Sequence, residues 1–324
     1  MLSPSILPVV EGDPTVVLIG GCPRSGTTLL ASLLGESQGC VVTPESHFKQ
    51  LLLRDHAVNW QQGLSHALLQ RDWTARSRFR HWRTSLDLSE LPDPLGREDY
   101  ARLLLRLVAA YGTSHDRPLT HAWVDHTPHN LHDALRLSEL FPTSRFVHLV
   151  RDPRAVAASL LSLDWGPLDA QQAADYWARH LSWGLAAEQA LPGRVQRVSY
   201  EQLVTQPVET LASLRQFCGL EPPPSGASAA SAAYFLPAFT RQQHQWVAHA
   251  PNTARLDAWR RQLPAWQVLA IEHRLADLMP MLGYEPSCAS PLGAVPRPGL
   301  LRRWLWPRLC ALPQRLRFLW RRWR

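Results

Sequence analysis

Between Val16 and Leu34 the chain passes from an apolar strand, Val16 to Ile19, through Gly21-Cys22-Pro23-Arg24-Ser25-Gly26-Thr27-Thr28-Leu29 into an apolar helix. A short strand that is apolar on both faces belongs inside a sheet covered on both sides. A glycine-rich turn that opens a helix directs successive backbone N–H groups and the helix N-terminus at an anion. The frame is Gly-x4-Gly followed by two hydroxyl residues. A nucleoside triphosphatase loop has Lys and then Ser or Thr after its second Gly, the Lys on the β- and γ-phosphates and the hydroxyl on magnesium. Here Thr27 occupies the Lys position and the cation is Arg24, inside the loop. That substitution predicts a phosphate-bearing donor handled without magnesium-triphosphate chemistry.

A length of 324 residues suits one α/β domain with elaborations, or two small domains. The formal charge of +7 is concentrated: Arg297 to Arg324 hold nine arginines and no acid, and the rest carries 25 basic against 27 acidic residues. Net charge is therefore no argument for a nucleic-acid partner. Lys49 is the only lysine, so almost every cation is a planar guanidinium suited to bidentate oxyanion contacts. Five scattered cysteines (Cys22, Cys40, Cys218, Cys288, Cys310), with no Cys-x-x-Cys spacing, predict a reduced, disulfide-free interior. Residues 1–15 lack a basic start and a long apolar stretch, and no apolar run reaches about 18 residues. The expectation is a cytoplasmic chain without a spanning helix.

The pattern continues with a helix over Thr27 to Leu34, a stop at Gly35, and a short strand Cys40 to Val42 ending in Thr43-Pro44-Glu45-Ser46-His47. Helical spacing from Leu51 to His121, with Leu103, Leu104, Leu107 and Ala110 set for burial, predicts a helical insertion over 51–122 on the acceptor side. Trp123 to Asp125 and Arg145 to Val150 are predicted core strands. A helix from Ala170 to Ala190, a strand from Val195 to Val198 and a helix through Leu211 to Phe217 repeat the alternation. Strands alternating with helices predict a three-layer α/β fold: a P-loop-type parallel sheet with helices on both faces, plus the helical insertion and a C-terminal amphipathic tail. Glu221 and three prolines open a Ser/Ala/Gly stretch to Ala233 that predicts a mobile loop, and Gln262 to Leu282 predicts a last helical region. The expected division is a domain over 1–287, a Pro/Gly/Ala-rich linker over 288–299 and a basic tail over 300–324.

A second segment carries chemistry: Phe146-Val147-His148-Leu149-Val150-Arg151-Asp152-Pro153-Arg154, followed by Ser159. The strand delivers Arg151 to the carboxyl edge of the sheet, and the following helix places Ser159 in its second turn, so the two suit a second phosphate. Pairing of Arg151 with Asp152 or Asp125 is the structural alternative. Pro23-Arg24-Ser25-Gly26-Thr27-Thr28 together with Arg151-Asp152-Pro153-Arg154 and Ser159 resembles the 5′-phosphosulfate and 3′-phosphate motifs of the sulfotransferase family. The resemblance runs over about 15–285 of the sequence, through Val198-Ser199-Tyr200-Glu201-Gln202-Leu203 and Leu256-Asp257-Ala258-Trp259-Arg260. Arg24 in place of the Lys of cytosolic aryl sulfotransferases resembles the bacterial and tyrosylprotein-like branch.

The resemblance implies an enzyme that moves a sulfuryl group from 3′-phosphoadenosine 5′-phosphosulfate (PAPS) to a hydroxyl or amine by in-line displacement, without a metal. The residues match the physical needs of that reaction. Arg24 with the N–H groups of Ser25, Gly26, Thr27 and Thr28 suits the 5′-phosphate, and the Thr hydroxyls add hydrogen bonds. Arg151 and Ser159 are expected at the 3′-phosphate, Tyr200 beside the nucleotide, and Arg255 as a further 3′-phosphate contact. For the general base the candidates are Glu45, whose pKa burial at a strand end is expected to lift, and His47 two residues on. Asp125-His126-Thr127-Pro128 resembles a family segment in which Lys reaches the transferring sulfonate; here His126 stands in that place. Either protonated His126 assists the sulfonate, or Arg24 and Thr27 do.

Two basic stretches invite partners. Arg71 to Arg83 interleaves five arginines with Trp73, Phe79 and Trp82. As one helix it places Arg76, Arg80 and Arg83 on one face, which reads as a solvated face or as recognition of an acidic acceptor before it reads as a nucleic-acid surface. In the tail, Leu316, Leu319, Trp320 and Trp323 recur at helical spacing opposite arginines, which suits either a helix on the anionic inner membrane face or one folded back on the body. The acceptor stays open among small molecules, glycans, lipids and peptides. Two rival functions remain at this level: a P-loop kinase-like phosphotransferase, against which the missing Lys argues, and a catalytically silent nucleotide- or glycan-binding module.

Overall fold

The computed structural model describes residues 12–84, 86–224, 235–236 and 252–287. The linker over 288–299, the tail over 300–324, Cys288, Cys310 and most of the stretch expected as a mobile loop lie outside them. The chain divides into two compact units, Met1–Val150 with Ser182–Asn252 and Arg151–Leu181 with Thr253–Arg324.

The first unit holds a parallel sheet of five strands: β1 (Thr15–Gly21), β2 (Cys40–Val42), β3 (Ala122–Asp125), β4 (Arg145–Val150) and β5 (Val195–Ser199). Their order is β2-β3-β1-β4-β5, all neighbours parallel. β1 sits at the centre because it can be buried on both faces: Val16 to Ile19 are at most 2% exposed. Its register pairs Val17 with Val124 on one side and Gly20 with His148 on the other. The carboxyl ends of β1 and β3 therefore open side by side, with β2 beyond β3, and the loops after them form one edge.

The helices are α1 (Thr27–Leu34), α2 (Phe48–Asp55), α3 (His66–Ala75), α4 (Ser77–Arg80), α5 (Arg97–Thr113), α6 (Ala134–Leu140), α7 (Pro153–Leu161), α8 (Ala170–Ala190), α9 (Tyr200–Thr205), α10 (Pro207–Cys218), α11 (Trp259–Gln262) and α12 (Ala265–Arg274). Within the first unit α1 packs on β1 and β3, α10 on β4 and β5, and α5 on β2. The insertion has its own apolar nucleus: Phe48 meets Trp73, Phe79 and Trp82 edge-on at centroid distances of 4.9, 5.2 and 5.2 Å. Edge contacts of this kind add about 0.5–1.5 kcal/mol each beyond the area they bury.

Two helices expected as continuous are broken. Arg71 to Arg83 is α3, an extended Arg76 (φ −83°, ψ 122°) and a single turn, α4, with Arg83 at φ +53°. At the break Arg76 is extended, while its guanidinium still bonds Asp72 one turn back at 2.5 and 2.8 Å and also reaches Asp55 at 2.9 Å. Gln262 to Leu282 divides at Pro264 and again after Arg274, where a turn leads to a short 3-10 helix, Pro280–Leu282.

The second unit is tied by Arg154. Its guanidinium bonds Asp152 at 2.8 Å, Glu272 at 2.7 Å and the Glu285 carbonyl at 3.0 Å, and lies 4.3 Å from the Trp259 ring centroid. This joins α7 to α12 and α11.

Candidate active site

The loop between β1 and α1 begins with a sharp reversal in which the Ser25 N–H donates to the Cys22 carbonyl at 3.0 Å. Arg24 has φ +75° and Gly26 φ +104°. Gly26 is the N-cap of α1 and supplies no side-chain cap, so the first N–H groups of the helix are left for a ligand. A Cβ on Gly26 would stand 2.7 and 3.0 Å from Cδ2 and Cε2 of Tyr200, which places that ring against the loop. Tyr200 opens α9, whose N-terminus is fixed by a reciprocal Ser199–Gln202 capping box. Ser25, Thr27 and Thr28 are buried, and Ser25 Oγ has no hydrogen-bond partner among the described residues. An orphaned buried hydroxyl next to an uncapped helix N-terminus fits an oxyanion.

The segment after β2 faces the segment after β3. The Ser46 N–H donates to Thr127 Oγ1 at 2.8 Å, Ser46 Oγ donates to Asp125 Oδ2, and Trp123 Nε1 donates to Thr43 Oγ1 at 2.9 Å. These bonds present Glu45 and His47 together: Glu45 Oε2 lies 3.1 Å from His47 Nε2 and 3.1 Å from Arg78 Nη1. The backbone at His47 is helical (φ −45°, ψ −32°), and the two side chains meet.

The expected rise of the Glu45 pKa is corrected by these neighbours. Burial pushes its carboxyl up, but the hydrogen bond and charge of His47, then Arg78 and His126, outweigh it and hold the group well below the usual carboxylate range. His126 moves the other way from what a cationic role needs. It is 3% exposed, neither ring nitrogen has a hydrogen-bond partner among the described residues, and burial lowers its pKa against the pull of Glu45 and Asp125. Its ring meets Phe235 at 5.2 Å. From His47 a series of rings continues through His129 (5.4 Å) and Trp183 (5.7 Å) to His132 (4.4 Å).

Four residues at this edge were not singled out from the sequence as members of the site: Lys49, Asp125, Asn130 and Arg78. The lysine is wholly buried on α2, with Nζ 2.8 Å from Ser46 Oγ, 2.8 Å from Asn130 Oδ1 and 3.3 Å from Asp125 Oδ1. Being the only lysine was the available signal.

In the second unit, Arg151 follows β4 directly and is 8% exposed. Its carbonyl accepts from Trp177 Nε1 at 3.0 Å, and its Nη2 reaches the Arg255 carbonyl at 3.4 Å. Arg255 ends the short 3-10 helix Thr253–Arg255, so Arg151 and Arg255 are neighbours. Ser159 lies on α7, half-buried. Asp152 caps α7 and holds Arg154, while Asp125 is engaged by Lys49 and Ser46 within the first unit.

A family profile described as "Sulfotransferase family" matches residues 14–224. Protein-tyrosine sulfotransferase 2 of Gallus gallus is 25% identical over 304 residues, 87% of this chain and 73% of that protein. Nodulation protein NoeE of Sinorhizobium fredii is 27% identical over 303 residues, 85% and 67% of the two chains. The chain spans 66% to 79% of the length of the curated relatives it matches. Among solved structures, the sulfotransferase domain from the Synechococcus PCC 7002 olefin synthase shares the fold, with a TM-score of 0.51 at 23% identity over 87% of this chain and 99% of that one.

Proposed function

We propose a division of labour among these residues that starts from one premise: the chain belongs to the sulfotransferase family, and it is a transferase of sulfuryl groups. The donor in this reading is PAPS, a co-substrate whose bound form supplies an activated sulfuryl group and a phosphate leaving group. The observation that carries the reading is the loop itself. An uncapped helix N-terminus and the orphaned Ser25 hydroxyl lie in one turn that also carries Arg24, a set that supports a 5′-phosphate held without magnesium.

In this scheme Arg24, Thr27 and Thr28 stabilise charge on the leaving phosphate. Arg151 and Ser159, with Arg255 as neighbour, hold the 3′-phosphate that distinguishes this donor from ATP. Tyr200 stacks its ring edge beside the loop and limits the nucleotide's freedom. Glu45 takes the proton of an acceptor hydroxyl, and His47 orients it. His126, neutral because it is buried, offers a hydrogen bond rather than a charge, so electrophilic assistance at the sulfonate falls to Arg24 and Thr27.

The acceptor is a hydroxyl compound, and small phenols, glycans, lipids and tyrosine peptides are the classes to compare. Labelled sulfate is followed from the donor into each class, and binding of the desulfated nucleotide is measured by calorimetry. The expectation is transfer by the wild-type chain, at least about tenfold weaker nucleotide binding in Arg24→Ala and in Arg151→Ala, and lost turnover with retained binding in Glu45→Ala. Unaltered affinity in both arginine variants overturns the donor-site assignment.

A further inference from the structure

Lys49 stands outside that division of labour. It is 0% exposed, and burying an ammonium is costly unless every donor is used. Here all three are used: Ser46 Oγ and Asn130 Oδ1 accept at 2.8 Å and Asp125 Oδ1 lies at 3.3 Å. The partners are themselves committed. Asp125 Oδ1 accepts from the Thr127 N–H and from Asn130 Nδ2, both at 2.8 Å, and Oδ2 accepts from Ser46 Oγ. Asn130 Nδ2 also donates to the Ile19 carbonyl at 3.0 Å, at the end of the strand that leads into the phosphate loop. Tyr100 Oη donates to the Lys49 carbonyl at 2.7 Å, which brings α5 of the insertion into the same knot.

One ammonium thus links the segment carrying Glu45 and His47, the segment carrying His126 and the strand that leads into the loop. We propose that Lys49 is a positioning residue, whose clamp on Ser46, Asp125 and Asn130 sets the register of the base-bearing segment against the phosphate loop. The role in turnover rests on the sulfotransfer reading, whereas the clamp itself does not. Such a clamp matters because a displacement of about 1 Å at the reacting centre costs about 100-fold in rate.

The test removes both charges together, since breaking a buried pair on one side leaves an uncompensated ion that can unfold the chain. In Lys49→Met/Asp125→Asn the shapes are nearly kept and the ammonium is gone. The variant is expected to fold and to bind 3′-phosphoadenosine 5′-phosphate within about threefold of wild type. Amide exchange over residues 45–49 is expected to speed up at least about tenfold, while β1 and β4 stay protected. With the best acceptor from the transfer assay, kcat is expected to fall about 100-fold with the donor KM little changed.

Exchange at 45–49 that matches wild type overturns the clamp. Faster exchange with kcat within about threefold of wild type overturns the positioning role and leaves a structural one. A wild-type chain that binds nucleotide and transfers no sulfate sinks the sulfotransfer reading instead, and the exchange comparison still decides the clamp.

Discussion

Replacing Gly26 with Ala tests the geometry of the phosphate loop, because two separate costs meet at that residue. The backbone sits at φ +104°, beyond the left-handed helical well, where an L residue costs about 1–3 kcal/mol. The added methyl also stands 2.7 Å from Cδ2 and 3.0 Å from Cε2 of Tyr200, a ring that is 5% exposed and has little room to withdraw. Overpacking of that kind costs about a further 1–3 kcal/mol. The two add to about 2–6 kcal/mol, a large share of the 5–15 kcal/mol typical of a folded domain. The contributions separate in a double-mutant cycle with Tyr200→Val, which removes both clashing atoms and leaves the backbone as it is. Chemical denaturation followed by tryptophan fluorescence is expected to show Gly26→Ala costing about 1–3 kcal/mol less when Tyr200→Val is also present. Equal costs in the two backgrounds refute the contact between the loop and the Tyr200 ring. If the ring also flanks the nucleotide, Gly26→Ala weakens the desulfated nucleotide beyond what Tyr200→Val does alone.

Two further outcomes follow from charge. Removing Arg78, 3.1 Å from Glu45, takes away a cation that helps hold that carboxyl low; the group's protonation then begins at higher pH, so any movement of the acid limb of the kcat/KM profile in Arg78→Leu is upward. The sign is fixed: taking a cation from beside a carboxylate can only raise its pKa, so an acid limb that moves downward in the variant refutes the pairing. For the tail, sedimentation with vesicles rich in anionic lipid compares the full chain with one ending at Gly293; pelleting of the full chain alone is expected from a membrane-surface helix, and equal recovery in the supernatant sinks it.

The parts of the fold that were legible are those whose cause is local. Central parallel strands are buried on both faces, so Val16 to Ile19 and Phe146 to Val150 read as short apolar runs, and Gly35 marks the end of α1 where the helix stops. The break at Arg76 was not legible, because evenly spaced arginines give the period of a helix while the Arg76 bond to Asp55, 21 positions back, depends on tertiary placement. The same distinction divides the site. Arg24 and the hydroxyls of Thr27 and Thr28 lie in one contiguous motif, whereas Lys49 meets Asn130 across 81 positions of sequence. Glu45 could be picked out at a strand end, but the direction of its pKa could not, since Arg78 reaches it from a distant part of the sequence, on α4.

That direction bears on how Glu45 works in its proposed role as the base. A carboxylate held well below its usual range is a weak base in the resting enzyme, and a strong one would seem better suited to an alcohol. The proton to be removed, however, does not keep the acidity of a free alcohol. As the acceptor oxygen bonds to sulfur it gives up electron density, and its proton becomes far more acidic than that of the starting hydroxyl. The base then needs to be unprotonated and in line at that moment, and needs little intrinsic strength. His47 and Arg78 meet the first condition by keeping Glu45 ionised through the neutral range. The second condition is positional, and the bonds that meet it run through Ser46 to Asp125 and Lys49. On this reading the side chains bonded to Glu45 and the buried Lys49 ammonium serve different ends: the first fix its protonation state, and the second fixes where it stands.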